Sequence, residues 1–232
     1  MALPKYSFPI YTLTLPTTGK EIKYRPFLVK DEKNLLLSQQ SEEETAMYDT
    51  LKTVIASCVV DDTKTEDLSV LDIEYIFTQL RCKSIGEQVE LIFTCQNEKC
   101  GQKESHTFDI KPEIIKHPEH TNKIELFDDV GVVMKYPGTE QMKKIMALNL
   151  NNPEEIIDMI AAHIDYVYDS EQVYSSSKKE LVKFIEELPR SASDKIKKFF
   201  ETMPKLSQTV PYTCKHCGNT HDYTVEGIQN FF

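Results

Sequence analysis

Thr94-Cys95-Gln96-Asn97-Glu98-Lys99-Cys100-Gly101 and Thr213-Cys214-Lys215-His216-Cys217-Gly218 are two copies of one local phrase. In each, an aromatic residue leads into Thr-Cys, a short polar turn follows, and the second cysteine is followed at once by glycine. A strand-like run comes next: His106-Thr107-Phe108-Asp109-Ile110 after the first pair, His221-Asp222-Tyr223-Thr224-Val225 after the second. Each phrase therefore predicts a β-hairpin with two sulfurs at its tip. Gly101 and Gly218 suit the positive φ at the end of such a turn, and the turn's N–H groups then point at the sulfurs. Two tips facing each other bring Cys95, Cys100, Cys214 and Cys217 around one tetrahedral ion, the donor set of a structural zinc site.

The spacings are C-x4-C and C-x2-C, both within the range of zinc ligands. The 113 residues between Cys100 and Cys214 (positions 101–213) far exceed those of a compact finger. Free thiols and disulfides are the plainer alternatives. A thiol redox site would place C-x-x-C at the start of a helix and lower a thiol pKa, whereas strand formers follow both pairs here. His106, His216 and His221 flank the tips and read as strand or turn residues. Each is also a candidate to replace a cysteine as ligand.

With 232 residues the chain has room for one large domain or two small ones. Its formal charge of −10 opposes non-specific binding to phosphate backbones and favours partners with basic surfaces. Cys58 and Cys82 lie on helical patterns and read as core residues. The opening MALPKYSFPIY lacks the long apolar core of a signal peptide, and no run reaches the apolar length that spans a bilayer. The expected setting is a reducing cytoplasm.

Taken in order, residues 11–15 and 21–25 alternate around the turn signal Pro16-Thr17-Thr18-Gly19 and predict a hairpin. Asp31 is expected to cap a short helix. Residues 41–44, Ser-Glu-Glu-Glu, start a second, with Met47, Leu51, Val54, Ile55 and Cys58 on its buried face. Ser69 and Asp72 form a capping-box signal for a third, lined by Ile73, Ile76, Phe77 and Leu80. The first cysteine hairpin follows. Residues 114–122 read as a connector; its His117 and His120 have metal-like spacing but no third ligand nearby. A second hairpin spans 124–136. Helices are then expected from Thr139 as cap, from Asn152-Pro153, from the Ser177–Glu180 capping box, and from Ser193 as cap. The Asn152 helix carries Ile156, Ile157, Ile160, His163, Ile164 and Val167 as its stripe, with His163 as a core histidine. The order hairpin, helices, cysteine tip thus occurs twice, as in a weak repeat. The terminal Phe231 and Phe232 are expected to pack on the core or dock on a partner.

The overall expectation is an α+β chain, mainly helical with short β-hairpins and a zinc-ribbon-like module joining mid-chain and C-terminus. Its two halves, 1–110 and 111–232, form one intertwined domain.

The runs LPTTGKEIKYRPFLVKDEKNLLL (15–37) and LDIEYIFTQLRCKSIGE (71–87), together with the two cysteine tips, resemble the baseplate protein family of T-even-like contractile-tailed phages. The resemblance implies a component or assembly factor of the baseplate hub. It implies other hub and tail proteins as partners, and a place in the host cytoplasm during assembly and in the virion baseplate. It brings no catalytic residues; only Cys95, Cys100, Cys214 and Cys217 carry over, as metal ligands.

The residues themselves agree with a non-enzyme by elimination. Gly-rich phosphate cradles, a G-x-S-x-G elbow and an H-E-x-x-H helix are all missing from the sequence. Two alternatives stay open at this point. One is a zinc-ribbon nucleic-acid module, which Lys99, Lys103 and Lys215 favour and Glu98 and Glu104 oppose. The other is a thiol redox protein using Cys214 and Cys217.

Overall fold

The computed structural model describes residues 7–39, 44–111, 113–149 and 151–227. Along the chain run β1 (Tyr11–Thr14), β2 (Glu21–Tyr24), α1 (Val29–Gln39), α2 (Glu44–Cys58), α3 (Val70–Ser84), β3 (Gln88–Thr94), β4 (Lys103–Asp109) and β5 (Glu113–Ile115). They are followed by β6 (Lys123–Phe127), β7 (Val130–Met134), α4 (Thr139–Met146), α5 (Pro153–His163), β8 (Ile164–Tyr168), β9 (Val173–Tyr174), α6 (Lys178–Glu186) and α7 (Arg190–Glu201). β10 (Lys205–Thr213) and β11 (Thr220–Glu226) complete the order. The expected opening segment, the helix start at residues 41–43 and the terminal Phe231–Phe232 lie, in whole or in part, outside the described residues.

A mainly helical chain is not what folds. Helix makes up 38% and strand 28%, with the strands in four small sheets. One cause is visible at residues 164–168. The apolar spacing of Ile164 and Val167 continues the α5 stripe, but the backbone leaves the helix at His163 and pairs with β7. Val133 faces Tyr166 and Met134 faces Ile164, so Asp165 is an extra residue in β8. That bulge turns Ile164 and Val167 to the same buried side. An i, i+3 spacing that suggests a helix is here a bulged strand rich in β-branched and aromatic residues. A second cause is β5, part of the stretch expected to be a connector, which pairs with β10.

The chain divides into two compact units. One comprises residues 1–115 and 205–232, the other 116–204. In the first, β1 and β2 pair with Leu13 opposite Ile22. Their apolar face joins Leu51, Val54, Ile55 and Cys58 of α2 and Ile73, Ile76, Phe77 and Leu80 of α3 in one core. Buried carboxylates fix this arrangement. Asp72 completes the capping box with Ser69 and also accepts from the N–H and hydroxyl of Thr17 in the β1–β2 turn. A single side chain thus caps α3 and pins the hairpin. Asp31 sits inside α1 rather than at its cap. It accepts from Leu28 N at 2.9 Å and from Ser57 Oγ at 2.9 Å, with Arg25 at 3.4 Å. Cys58 is fully buried, as expected, while Cys82 is half-buried.

A second core in the same unit lies under the cysteine hairpins. Val89, Phe93, Phe108, Val210, Tyr212 and Val225 pack together with Leu71 of α3. β10 is the central strand of β11-β10-β5, so residues 205–207 return beside 113–115 and close the long excursion between them.

In the second unit, β6-β7-β8-β9 form an antiparallel sheet. Ile124, Leu126, Val132, Met134, Ile164 and Val167 meet Ile160, Leu181, Ile185, Ile196 and Phe199 in its core. Lys195 Nζ donates to the carbonyls of Glu125 (2.9 Å) and Leu126 (2.8 Å), occupying acceptors on β6 at the edge of the sheet. The Asn152 cap and the Ser177–Glu180 capping box form. Thr139 and Ser193 do not cap: α4 starts after Gly138, and α7 starts after Pro189, leaving Ser193 inside the helix. Pro189 breaks α6 and, with its fixed φ, serves as the entry to α7.

Candidate metal centre

The cysteine hairpins are built alike. β3 and β4 pair through seven residue pairs, Gln88↔Asp109 to Thr94↔Lys103. β10 and β11 also pair through seven, Ser207↔Glu226 to Thr213↔Thr220. Each ladder ends at the Thr before the first cysteine. One further backbone bond closes each tip: Cys95 N to Gln102 O at 2.8 Å, and Cys214 N to Asn219 O at 2.9 Å. Gly101 (φ 57°) and Gly218 (φ 71°) then take the left-handed conformation in which a Cβ is strained.

The tips converge. One sulfur from each of Cys95, Cys100, Cys214 and Cys217 lies within 4.8 Å of all the others. Cys95 Sγ is 3.6 Å from Cys217 Sγ, and Cys100 Sγ is 3.8 Å from Cys214 Sγ. A disulfide needs about 2.05 Å. Zn–S bonds of about 2.3 Å place the sulfurs of a regular tetrahedron about 3.8 Å apart. The cross-tip spacings therefore fit four thiolates around one ion, not two disulfides. Cys95 and Cys214 are buried, Cys100 is half-buried and Cys217 is exposed.

The turns supply the donors that anionic sulfur requires. Asn97 N–H faces Cys95, Gln102 N–H faces Cys100, and the N–H groups of Cys217 and His216 face Cys214. The bare thiols are unequal. Burial, then the neighbouring cysteines, push Cys95 up to about 12. Burial, the largest single effect, opposes ionisation of Cys214, but the turn N–H groups of Cys217 and His216 together with side-chain bonds from Tyr212 and Cys217 draw the thiol down to about 7. Four sulfurs this close do not all ionise without a cation among them.

The flanking histidines divide. His221 Nε2 is 3.3 Å from Cys95 Sγ. His216 is exposed, with Nε2 3.5 Å from Glu104 Oε1. The His106 ring packs 5.7 Å from those of Phe93 and Tyr212. Two residues at the centre carried no signal in the sequence. Glu104 is buried and accepts from Lys215 N–H, and Tyr223 bonds the backbone of Thr94. Both read as ordinary strand residues until the fold closes.

Away from this centre, His120 has both ring nitrogens bonded, to Thr202 Oγ1 at 3.0 Å and Tyr136 Oη at 2.9 Å. It is a satisfied core histidine, and burial lowers its pKa. His163 is buried too, its Nδ1 donating to Met159 O at 2.7 Å. Among the described residues no other group of His, Cys, Asp or Glu has a metal-holding arrangement.

The fold is mixed α+β, and its two facing cysteine hairpins bring four sulfurs together. The chain belongs to the T4 bacteriophage base plate protein family, which matches residues 8–232. No curated protein and no solved structure matches the chain. Membership gives it a structural or assembly role in a phage baseplate, through contacts with other baseplate proteins in the virion tail. No helix among the described residues is long and apolar enough to cross a membrane.

Proposed function

We propose that the chain is a non-catalytic component or assembly factor of the baseplate hub, joined to other hub and tail proteins in the host cytoplasm. In this reading Cys95, Cys100, Cys214 and Cys217 hold one structural zinc ion. The observation that carries it is the convergence of four sulfurs from two distant hairpins in a baseplate-family chain. An all-cysteine set with no open position is the structural kind of zinc site, and thiolate donors select zinc or iron over harder cations. A bound ion supplies a rigid four-way link between the tips. The protein's own residues orient the sulfurs, direct turn N–H groups at them and bury two of the four. This favours a mechanical role: fixing the relative position of two hairpins on a protein built into a larger assembly.

The test is recovery of the tagged full-length chain from infected cells, with mass spectrometry of its companions and of purified baseplates. Co-isolation with hub proteins is expected. Recovery only with baseplate proteins outside the hub, or with none, overturns the hub assignment.

A further inference from the structure

The two hairpins do more than present cysteines. In the β3–β4 ladder Glu104 stands opposite Phe93; in the β10–β11 ladder His221 stands opposite Tyr212. Phe93 and Tyr212 each lie two residues before the first cysteine of their tip. Glu104 and His221 therefore occupy equivalent positions. Each crosses to the first cysteine of the other hairpin: Glu104 Oε1 is 3.5 Å from Cys214 Sγ, and His221 Nε2 is 3.3 Å from Cys95 Sγ.

We propose that Glu104 and His221 are paired positioning residues that cross-brace the two tips and set the metal affinity of the centre. The proposal rests on the metal reading above. The two act differently because their chemistry differs. An imidazole Nε2–H can donate to the Cys95 thiolate, a charge-assisted bond that fixes the sulfur and spreads its charge. Its ring is held by packing on Tyr212, with centroids 6.4 Å apart. An ionised carboxylate only accepts, so Glu104 cannot bond a Cys214 thiolate. It acts through the turn. Its two oxygens lie 2.9 and 3.3 Å from Lys215 N, holding the residue after Cys214. That fixes the turn whose next N–H groups, of His216 and Cys217, face the Cys214 sulfur.

Tyr223 completes the brace. It is two residues beyond His221 and so on the same face of β11. Its hydroxyl accepts from Thr94 N at 3.0 Å and donates to Thr94 O at 2.5 Å. Its ring stacks on Phe93 at 4.3 Å and 5°. These contacts join the two hairpins through groups other than the cysteines.

The experiment is a Co²⁺ titration of the chelator-stripped full-length protein against a competing chelator, following the thiolate-to-cobalt charge-transfer and d–d bands. Wild type is expected to give a four-thiolate tetrahedral spectrum. His221→Phe keeps a ring for Tyr212 but has no donor. It is expected to keep that spectrum and bind about 10–100-fold more weakly, the usual effect of losing an outer partner. His221→Gln, which retains an N–H donor, recovers part of the loss. Glu104→Gln keeps an acceptor for Lys215 N–H and binds more tightly than Glu104→Ala. Wild-type affinity in both His221→Phe and Glu104→Ala overturns the proposal while leaving the metal site standing. A changed ligand spectrum in His221→Phe makes His221 a ligand and also overturns it. A wild-type protein with no charge-transfer band removes the metal site and the proposal together.

Discussion

Cys214→Ser is expected to yield a soluble, folded α+β protein that holds no metal and does not enter baseplates. Cys214 is fully buried, 3.8 Å from Cys100, and receives the N–H groups of His216 and Cys217. Burial opposes its ionisation, but those turn N–H groups together with side-chain bonds from Tyr212 and Cys217 draw the thiol down to about 7. Serine at the same place is a far poorer ligand for an ion that thiolates select. Structural zinc in small peptides contributes on the order of 10–16 kcal/mol of apparent binding energy. Most of that is not expected to appear as lost global stability. The seven-pair ladders of both hairpins, the β5–β10 pairing and the stacked Phe93 and Tyr223 rings need no ion. The damage is expected at residues 95–102 and 214–219, the two turns whose four sulfurs meet. Hydrogen exchange should show those turns losing protection while residues 116–204, which have their own core, keep theirs. Global unfolding would mean that the ion holds more than the tips. Normal baseplates containing the variant would mean that it holds nothing the assembly needs.

Gly131→Ala is expected to destabilise residues 116–204 by about 3 kcal/mol, the upper end of ordinary overpacking. Gly131 lies on β7, paired with Tyr168 on β8 and Glu125 on β6. A Cβ there would overlap Tyr168 Cζ and Oη and sit 2.7 Å from the Ile124 carbonyl oxygen. The tyrosine ring lies over the glycine, and Lys123 Nζ is 4.7 Å from the ring centroid on this part of the sheet. The ring can move only by leaving that place; the carbonyl belongs to the sheet. Combining Gly131→Ala with Tyr168→Ala should therefore cost less than the sum of the single changes, because one clash disappears, yet not become neutral. Urea unfolding of the four proteins measures this coupling directly. A Gly131→Ala midpoint within error of wild type would contradict the packing described for this sheet.

What the sequence discloses divides by range. The cysteine turns are legible because their chemistry is local: Thr-Cys before the turn, glycine after it, strand formers beyond. The Ser69–Asp72, Asn152 and Ser177–Glu180 caps are legible for the same reason. The strand content was not, because two signals point elsewhere. The bulge at Asp165 gives Ile164 and Val167 helical spacing. The three residues of β5 are too short to show alternation, and their partner lies about ninety positions away. Likewise Asp31 and Ser193 have the composition of caps but stand inside helices that begin at Val29 and Arg190, though Asp31 still accepts from the N–H of Leu28. At the centre, Glu104 and Tyr223 act only across hairpins that are distant in sequence, and no local pattern reports such a pairing.

The most direct test is metal analysis of the full-length chain as isolated, by native mass spectrometry and elemental measurement. One zinc per chain is expected, with all four cysteines of the tips resisting alkylation until a chelator is added. A metal-free protein whose tip thiols alkylate at once would contradict the account.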